Sequence, residues 1–242
     1  MVAIQTVNLE KSYGEVRALR GLDLTVERGE IFTLLGLNGA GKTTTMKILS
    51  CLTPPSAGDA FVFGKSVLSE SEAVRSMIAI SPQETALAQN LSVKENLMMM
   101  CGIYRMSKAQ AEEKIGFLAD RFSLGEVLNR RAGRLSGGYQ RRVSIAMALV
   151  GSPSVLFLDE PTLGLDVLAR RELWEVIASL RGESTVLLTT HYMEEAEVLS
   201  DRVGIMQGGR LSAVGTPRDL LARCGAKSLE DAFVMLAKEG ER

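Results

Sequence analysis

The chain has 242 residues, enough for one sizeable core, with 46% apolar side chains and a formal net charge of −1. So even a balance supplies no general attraction to nucleic acid or to anionic lipid. Its three cysteines, Cys51, Cys101 and Cys224, are odd in number and lack metal-ligand spacing, which suits packing roles in a reducing compartment rather than a disulfide framework. No basic segment followed by an apolar stretch opens the sequence, so no secretory signal is expected. The longest uncharged run, Val143 to Leu158, is broken by Gly151-Ser152-Pro153-Ser154, short of the roughly 20 apolar residues of a membrane helix.

In chain order, residues 1 to 30 alternate in short β-like pieces around turns at Tyr13-Gly14 and Arg28-Gly29. The apolar run Ile31 to Leu35 predicts a buried strand, followed by Gly36-Leu37-Asn38-Gly39-Ala40-Gly41-Lys42-Thr43-Thr44 and a helix ended by Pro54-Pro55. This segment fits G-x-x-x-x-G-K-[ST]. Its glycines let backbone N–H groups approach phosphates, the helix opening adds a positive dipole end, Lys42 reaches the terminal phosphates, and Thr43 can offer its hydroxyl to Mg²⁺. Asp59 to Gly64 reads as extended and hairpin-like.

From about Thr85 to Val150 the pattern turns helical, with Met98, Met99 and Met100 in a Met-rich face. Strand Val155 to Leu158, helix Arg170 to Leu180, strand Thr185 to Thr189, helix Met193 to Leu199 and strand Val203 to Met206 then alternate as βαβ units do. The expected fold is a parallel-sheet α/β core, residues 1–84 and 151–242, interrupted by a helical insertion, residues 85–150. Ser228 to Lys238 places Leu229, Ala232, Phe233 and Leu236 on one face, expected to pack onto the core.

Polar residues at strand ends carry the chemistry. Asp159 and Glu160 close the strand Val155 to Leu158; consecutive strand residues point differently, so Asp159 can hold Mg²⁺ while Glu160 orients or deprotonates an attacking water. His191, the only histidine, directly follows the strand at 185–190, where an imidazole can hydrogen-bond a terminal phosphate. Gln83 stands at another strand end and could ligate Mg²⁺. Leu135-Ser136-Gly137-Gly138-Tyr139-Gln140 forms a second glycine-rich cradle at a helix opening, with Ser136 and the Gly137 and Gly138 amides making an anion site.

Together these pieces resemble the nucleotide-binding subunit of an ABC (ATP-binding cassette) transporter, a P-loop NTPase with an antiparallel β subdomain and an inserted α-helical subdomain, from about Ile4 to at least Leu221. Gly36 to Thr44 matches the family's Walker A, Gln83 its Q-loop, Leu135 to Tyr139 its signature, Val155 to Glu160 its Walker B, Leu165-Asp166 its D-loop and His191 its switch histidine. Tyr13 stands where the family has its adenine-stacking aromatic. The resemblance implies ATP and Mg²⁺ as ligands. It also implies a head-to-tail dimer with a second copy of itself or a similar cassette, in which each ATP lies between Walker A of one chain and the signature of the other. Two copies of a membrane permease, with the subunit peripheral on the cytoplasmic side of the cell membrane, complete the expectation.

The signature departs from the family at its fifth residue, usually Gln and here Tyr139, which puts in doubt any polar contact that Gln makes. The basic cluster Arg130, Arg131, Arg134, Arg141 and Arg142 lacks interleaved aromatics and brackets the signature, so phosphate attraction across a dimer or a solvated face is expected, and no nucleic acid. Within the family, GLNGAGKTTTMKIL, DEPTLGLD, THYMEEAE and SLEDAF look like the drug, lipid and polysaccharide exporter branch, which is daunorubicin-resistance-like. Met98 to Met100 and Tyr104 are candidate permease contacts. An importer cassette shares every ATP motif and stays open as the alternative, with a soluble non-transport ATPase behind it.

Overall fold

The computed structural model describes residues 1–239. Strands β1 (Val2–Tyr13) and β2 (Val16–Glu27) form an antiparallel hairpin that turns at Gly14. β3 (Ile31–Leu35) then runs wholly buried into the glycine-rich loop, from which α1 (Lys42–Leu49) departs. β4 (Ala57–Val62) and the two-residue β5 (Lys65–Ser66) join β1 and β2 in a four-stranded antiparallel sheet of order β2-β1-β4-β5.

Helix α2 (Ser71–Met77) and strand β6 (Ile78–Ser81) lead to Gln83. The region expected to be helical from Thr85 begins its first helix only at Val93. Residues up to Ser92 hold no regular structure, and Ser92 caps α3 (Val93–Ile103) through a capping box with Glu95. A second box, Ser107 with Gln110, starts α4 (Lys108–Arg121), and α5 (Gly137–Ala148) starts at Ser136. Met98, Met99 and Met100 do not share a face: successive helical residues are about 100° apart. Met98 and Met100 pack against the core, whereas Met99 is exposed.

β7 (Val155–Asp159), α6 (Val167–Ala178), β8 (Thr185–Thr190), α7 (Met193–Leu199) and β9 (Arg202–Gln207) follow the expected alternation, with α6 beginning three residues earlier because Asp166 caps it. The chain closes with β10 (Arg210–Gly215), α8 (Pro217–Cys224) and α9 (Leu229–Glu239). Leu229, Ala232, Phe233 and Leu236 of α9 are buried, as their spacing requires.

The second sheet has six strands in the order β10-β9-β3-β8-β7-β6, all parallel except β10. It is covered on both faces, which explains its unbroken apolar strands. Leu156, Leu158, Val186 and Leu188 join the core with α3 to α6, while Val155, Phe157 and Leu187 join a second core with β1, β2, β4 and α1. Parallel pairing sets the carboxyl ends of β3, β8, β7 and β6 side by side. Leu35 lies opposite Thr190, Asp159 opposite Thr189, and Ser81 opposite Leu158. Four segments far apart in sequence are thus brought to one edge, where open α/β sheets bind ligands.

Candidate functional site

Tyr13, Asn38 to Thr44, Gln83, Glu160 and His191 line one cavity of about 460 Å³, together with Val16, Arg17, Ala18 and Leu163. The loop after β3 reaches this edge by a sharp reversal. Gly41 has φ +105°, and a Cβ there would stand 2.7 Å from the Ala18 carbonyl oxygen, so only glycine fits. Gly41 also occupies the N-cap of α1 with no side-chain cap bond, which leaves first-turn N–H groups of that helix without a side-chain acceptor.

Lys42 Nζ, almost fully buried, donates to the carbonyl oxygens of Gly36 (2.6 Å) and Leu37 (3.3 Å) and lies 3.4 Å from Glu160 Oε1. Glu160 Oε2 is 2.7 Å from His191 Nδ1. Glu160 has φ +47°, a left-handed conformation that costs a non-glycine residue on the order of 1 kcal/mol and that concentrates at functional sites. Its backbone is pinned to β8: the Glu160 N–H donates to the Thr189 carbonyl (3.1 Å) and to Thr189 Oγ1 (3.2 Å). The Thr189 hydroxyl in turn donates to Asp159 Oδ1, and Thr43 Oγ1 stands 3.4 Å from the same oxygen. Sequence reasoning missed Thr189, because only the parallel register sets it opposite Asp159.

Arg141, expected with the basic cluster to attract phosphate or face solvent, does neither. It is buried and aims its guanidinium at the Q-loop backbone, donating to the carbonyl oxygens of Pro82 (2.6 Å) and Gln83 (2.5 Å). Arg142 is also buried, pairs with Glu172 at 2.7 Å and stacks 4.4 Å above the Tyr139 ring. The basic cluster is therefore not one solvated face, since two of its five members are internal struts. Tyr139, the departing signature residue, packs against the core, and Gln140 donates to the carbonyls of Ala132 and Leu135.

The remaining sequence-predicted residues lie outside the cavity. Ser136 is exposed and makes no cap bond with its side chain. Gly138 sits against the first turn of α6 and Gly137 beside Leu165, just before that helix. A Cβ on Gly138 would come within 2.9 Å of Ala169 Cβ, and the region nearest Gly137 is Leu165. Asp166 accepts the N–H groups of Leu168 (3.0 Å) and Ala169 (2.9 Å), so its side chain caps α6.

Residues 19–163 match the ABC transporter family model. The chain belongs to the ABC transporter family. It is 42% identical over 228 residues to the daunorubicin/doxorubicin resistance ATP-binding protein DrrA of Streptomyces peucetius, covering 94% of this chain and 69% of that one. The Nod factor export ATP-binding protein I of Burkholderia lata is 43% identical over 216 residues, 88% and 71% of the two chains. Among solved structures, an ATP-binding subunit of an ABC transporter superposes with a TM-score of 0.85 at 31% identity, covering 97% of this chain and 99% of that one. A dimeric cassette in a post-hydrolysis state, bound to ADP and Pi, gives 0.79 at 26% identity over 88% and 98%. The chain is thus an ATP-binding ABC transporter subunit and an ATPase with the P-loop NTPase fold. No helix among the described residues is long and apolar enough to cross a membrane.

Proposed function

We propose that the chain powers an exporter and that Glu160 is the residue acting on the attacking water. The observation that carries the catalytic assignment is the juxtaposition of Lys42 at the opening of α1 with Glu160 and His191 just past the ends of β7 and β8, Glu160 contacting both of the others. Export is supported by the relatives named for drug resistance and for Nod factor export.

In this reading Lys42, already stripped of water and held by carbonyl oxygens, compensates the charge of the β- and γ-phosphates. Glu160 orients the water and takes its proton, and His191 holds Glu160 and hydrogen-bonds the γ-phosphate. Tyr13, on the rim, stacks on the adenine. Gly36 to Thr44 wrap the phosphates with backbone N–H groups.

Thr43 Oγ1, Asp159 Oδ1 and the Gln83 side-chain oxygen are hard oxygen donors suited to Mg²⁺, and among the described residues no group of three or more His, Cys, Asp or Glu could hold a metal. One carboxylate beside nucleotide phosphates is how Mg²⁺ is commonly bound, and the ion would neutralise phosphate charge. The division into a core of residues 1–84 and 151–242 with a helical unit at 85–150 belongs to the same proposal. So do a head-to-tail dimer closed by Ser136, Gly137 and Gly138, catalytic parts for Gln83 and Asp166, two permease copies, and a peripheral place on the cytoplasmic face of the membrane.

Glu160→Gln keeps size and removes the base. Turnover should fall on the order of 10²- to 10⁴-fold with ATP binding retained, and the variant should run as an ATP-bound dimer on size exclusion in MgATP. Normal hydrolysis by this variant would remove Glu160 from its role.

A further inference from the structure

Behind the cavity lies a carboxyl that the mechanism above does not use. Glu195, in the first turn of α7, is 0% exposed. Its Oε1 accepts the indole N–H of Trp174 on α6 at 3.2 Å. Its Oε2 is sealed from solvent without a well-aligned partner, and so is Thr162 Oγ1. The hydroxyls of Thr190 and Thr162 flank the carboxyl and favour its ionised form, yet burial outweighs them and, with help from the Glu160 charge, raises the pKa of Glu195.

Burying an acid among apolar helices opposes folding, and an apolar side chain of similar size would fill the same space without that penalty. What the carboxyl gains is its position. Thr162 is two residues beyond Glu160, and Thr190 immediately precedes His191. Trp174 belongs to the helix that Asp166 caps and whose first turn lies against Gly138.

We propose that Glu195 is a positioning residue for ATP hydrolysis, a buried hub that joins the loop carrying Glu160, the strand end carrying His191 and the helix beside the signature. The Trp174 indole and the Thr162 and Thr190 hydroxyls converge on this one carboxyl from α6, from the loop after Glu160 and from the end of β8, so the hub holds the Glu160–His191 contact from beneath. The proposal rests on the roles given to Glu160 and His191 above.

The test compares Glu195→Gln, Glu195→Ala and Thr162→Val in steady-state MgATP hydrolysis and in calorimetric ATP binding, with far-UV circular dichroism and the melting temperature as checks of folding. Glu195→Ala should lower kcat on the order of tenfold or more while KM and the ATP Kd stay within about twofold. Glu195→Gln, neutral and of the same shape, should recover kcat to within about threefold of the parent, and Thr162→Val should lower kcat with binding unchanged. A merely structural role would lower the melting temperature and leave kcat of the folded protein and the effect of Gln unmoved. Parent-like kcat in folded Glu195→Ala, or Glu195→Gln as slow as Glu195→Ala, overturns the proposal. If Glu195→Ala does not fold, parent-like kcat in Thr162→Val overturns it instead. Measured alongside, Glu160→Gln separates the two readings. Its normal turnover would sink the catalytic assignment, whereas its inactivity beside a fully active Glu195→Ala would sink the hub alone.

Discussion

Lys42 and His191 both touch Glu160, and their chemistry separates them. Carbonyl oxygens and one carboxylate are the present partners of Lys42, and in the proposed role it would attract phosphates in the ground state as well as during reaction. His191 is partly exposed and reaches Glu160 through one ring nitrogen. Lys42→Ala should therefore weaken ATP binding itself, on the order of tenfold or more, whereas His191→Ala should reduce turnover with affinity changed by only a few-fold. Calorimetry on the two variants decides this, and equal ATP affinity of Lys42→Ala and the parent would contradict the placement of the loop. At this scale the residue types that bear charge were legible, because a lysine after glycines or a carboxylate after an apolar run has few other reasons to stand there. Thr189, Thr162 and Arg141 were not. A threonine in a strand or an arginine in a helix looks ordinary until register and packing show which oxygen it faces.

Among the elements, those with strong periodicity or unbroken apolar runs were read correctly: β3, β7, β8, α7 and the buried face of α9. The elements without an expectation, α2, β5, β10 and α8, are seven, two, six and eight residues long, too short for a period to stand out from the sequence around them. For α8 a local signal was available, Thr216 followed by Pro217, and the structure uses it: Thr216 accepts the Asp219 N–H with proline in the first turn. The earlier start of α6 has the same origin. Asp166 was read through its motif, while its hydrogen bonds make it a cap. Asp166→Ala should therefore destabilise the isolated chain by about 1 kcal/mol and Asp166→Asn by much less, as read by urea unfolding. Parent-like stability of Asp166→Ala would mean that the cap contributes nothing to α6.

For the molecule as a whole, the two glycine-rich cradles do not meet within one chain. The loop Asn38 to Thr44 lines the cavity, whereas Ser136 is exposed outside it at the uncapped opening of α5. An exposed helix start without a side-chain cap leaves N–H groups open to an acceptor from another molecule, in line with the proposed dimer whose sites are shared between copies. The sequence carried both motifs but not their separation, since that distance is a property of the packed sheet and helices. If Ser136 grips the γ-phosphate bound by the partner, Ser136→Arg should block dimer closure by bulk, yet leave each chain able to bind ATP through its own Lys42. Mixing Ser136→Arg with Lys42→Ala then tests the geometry. In the mixed dimer both defects fall on one composite site and the other keeps an intact loop and an intact signature. ATPase activity above that of either variant alone is expected, and, with Glu160→Gln added to both chains, one trapped nucleotide per mixed dimer. Undiminished trapping by a dimer of Ser136→Arg alone would show that the signature does not complete the site, and the shared-site dimer would be wrong.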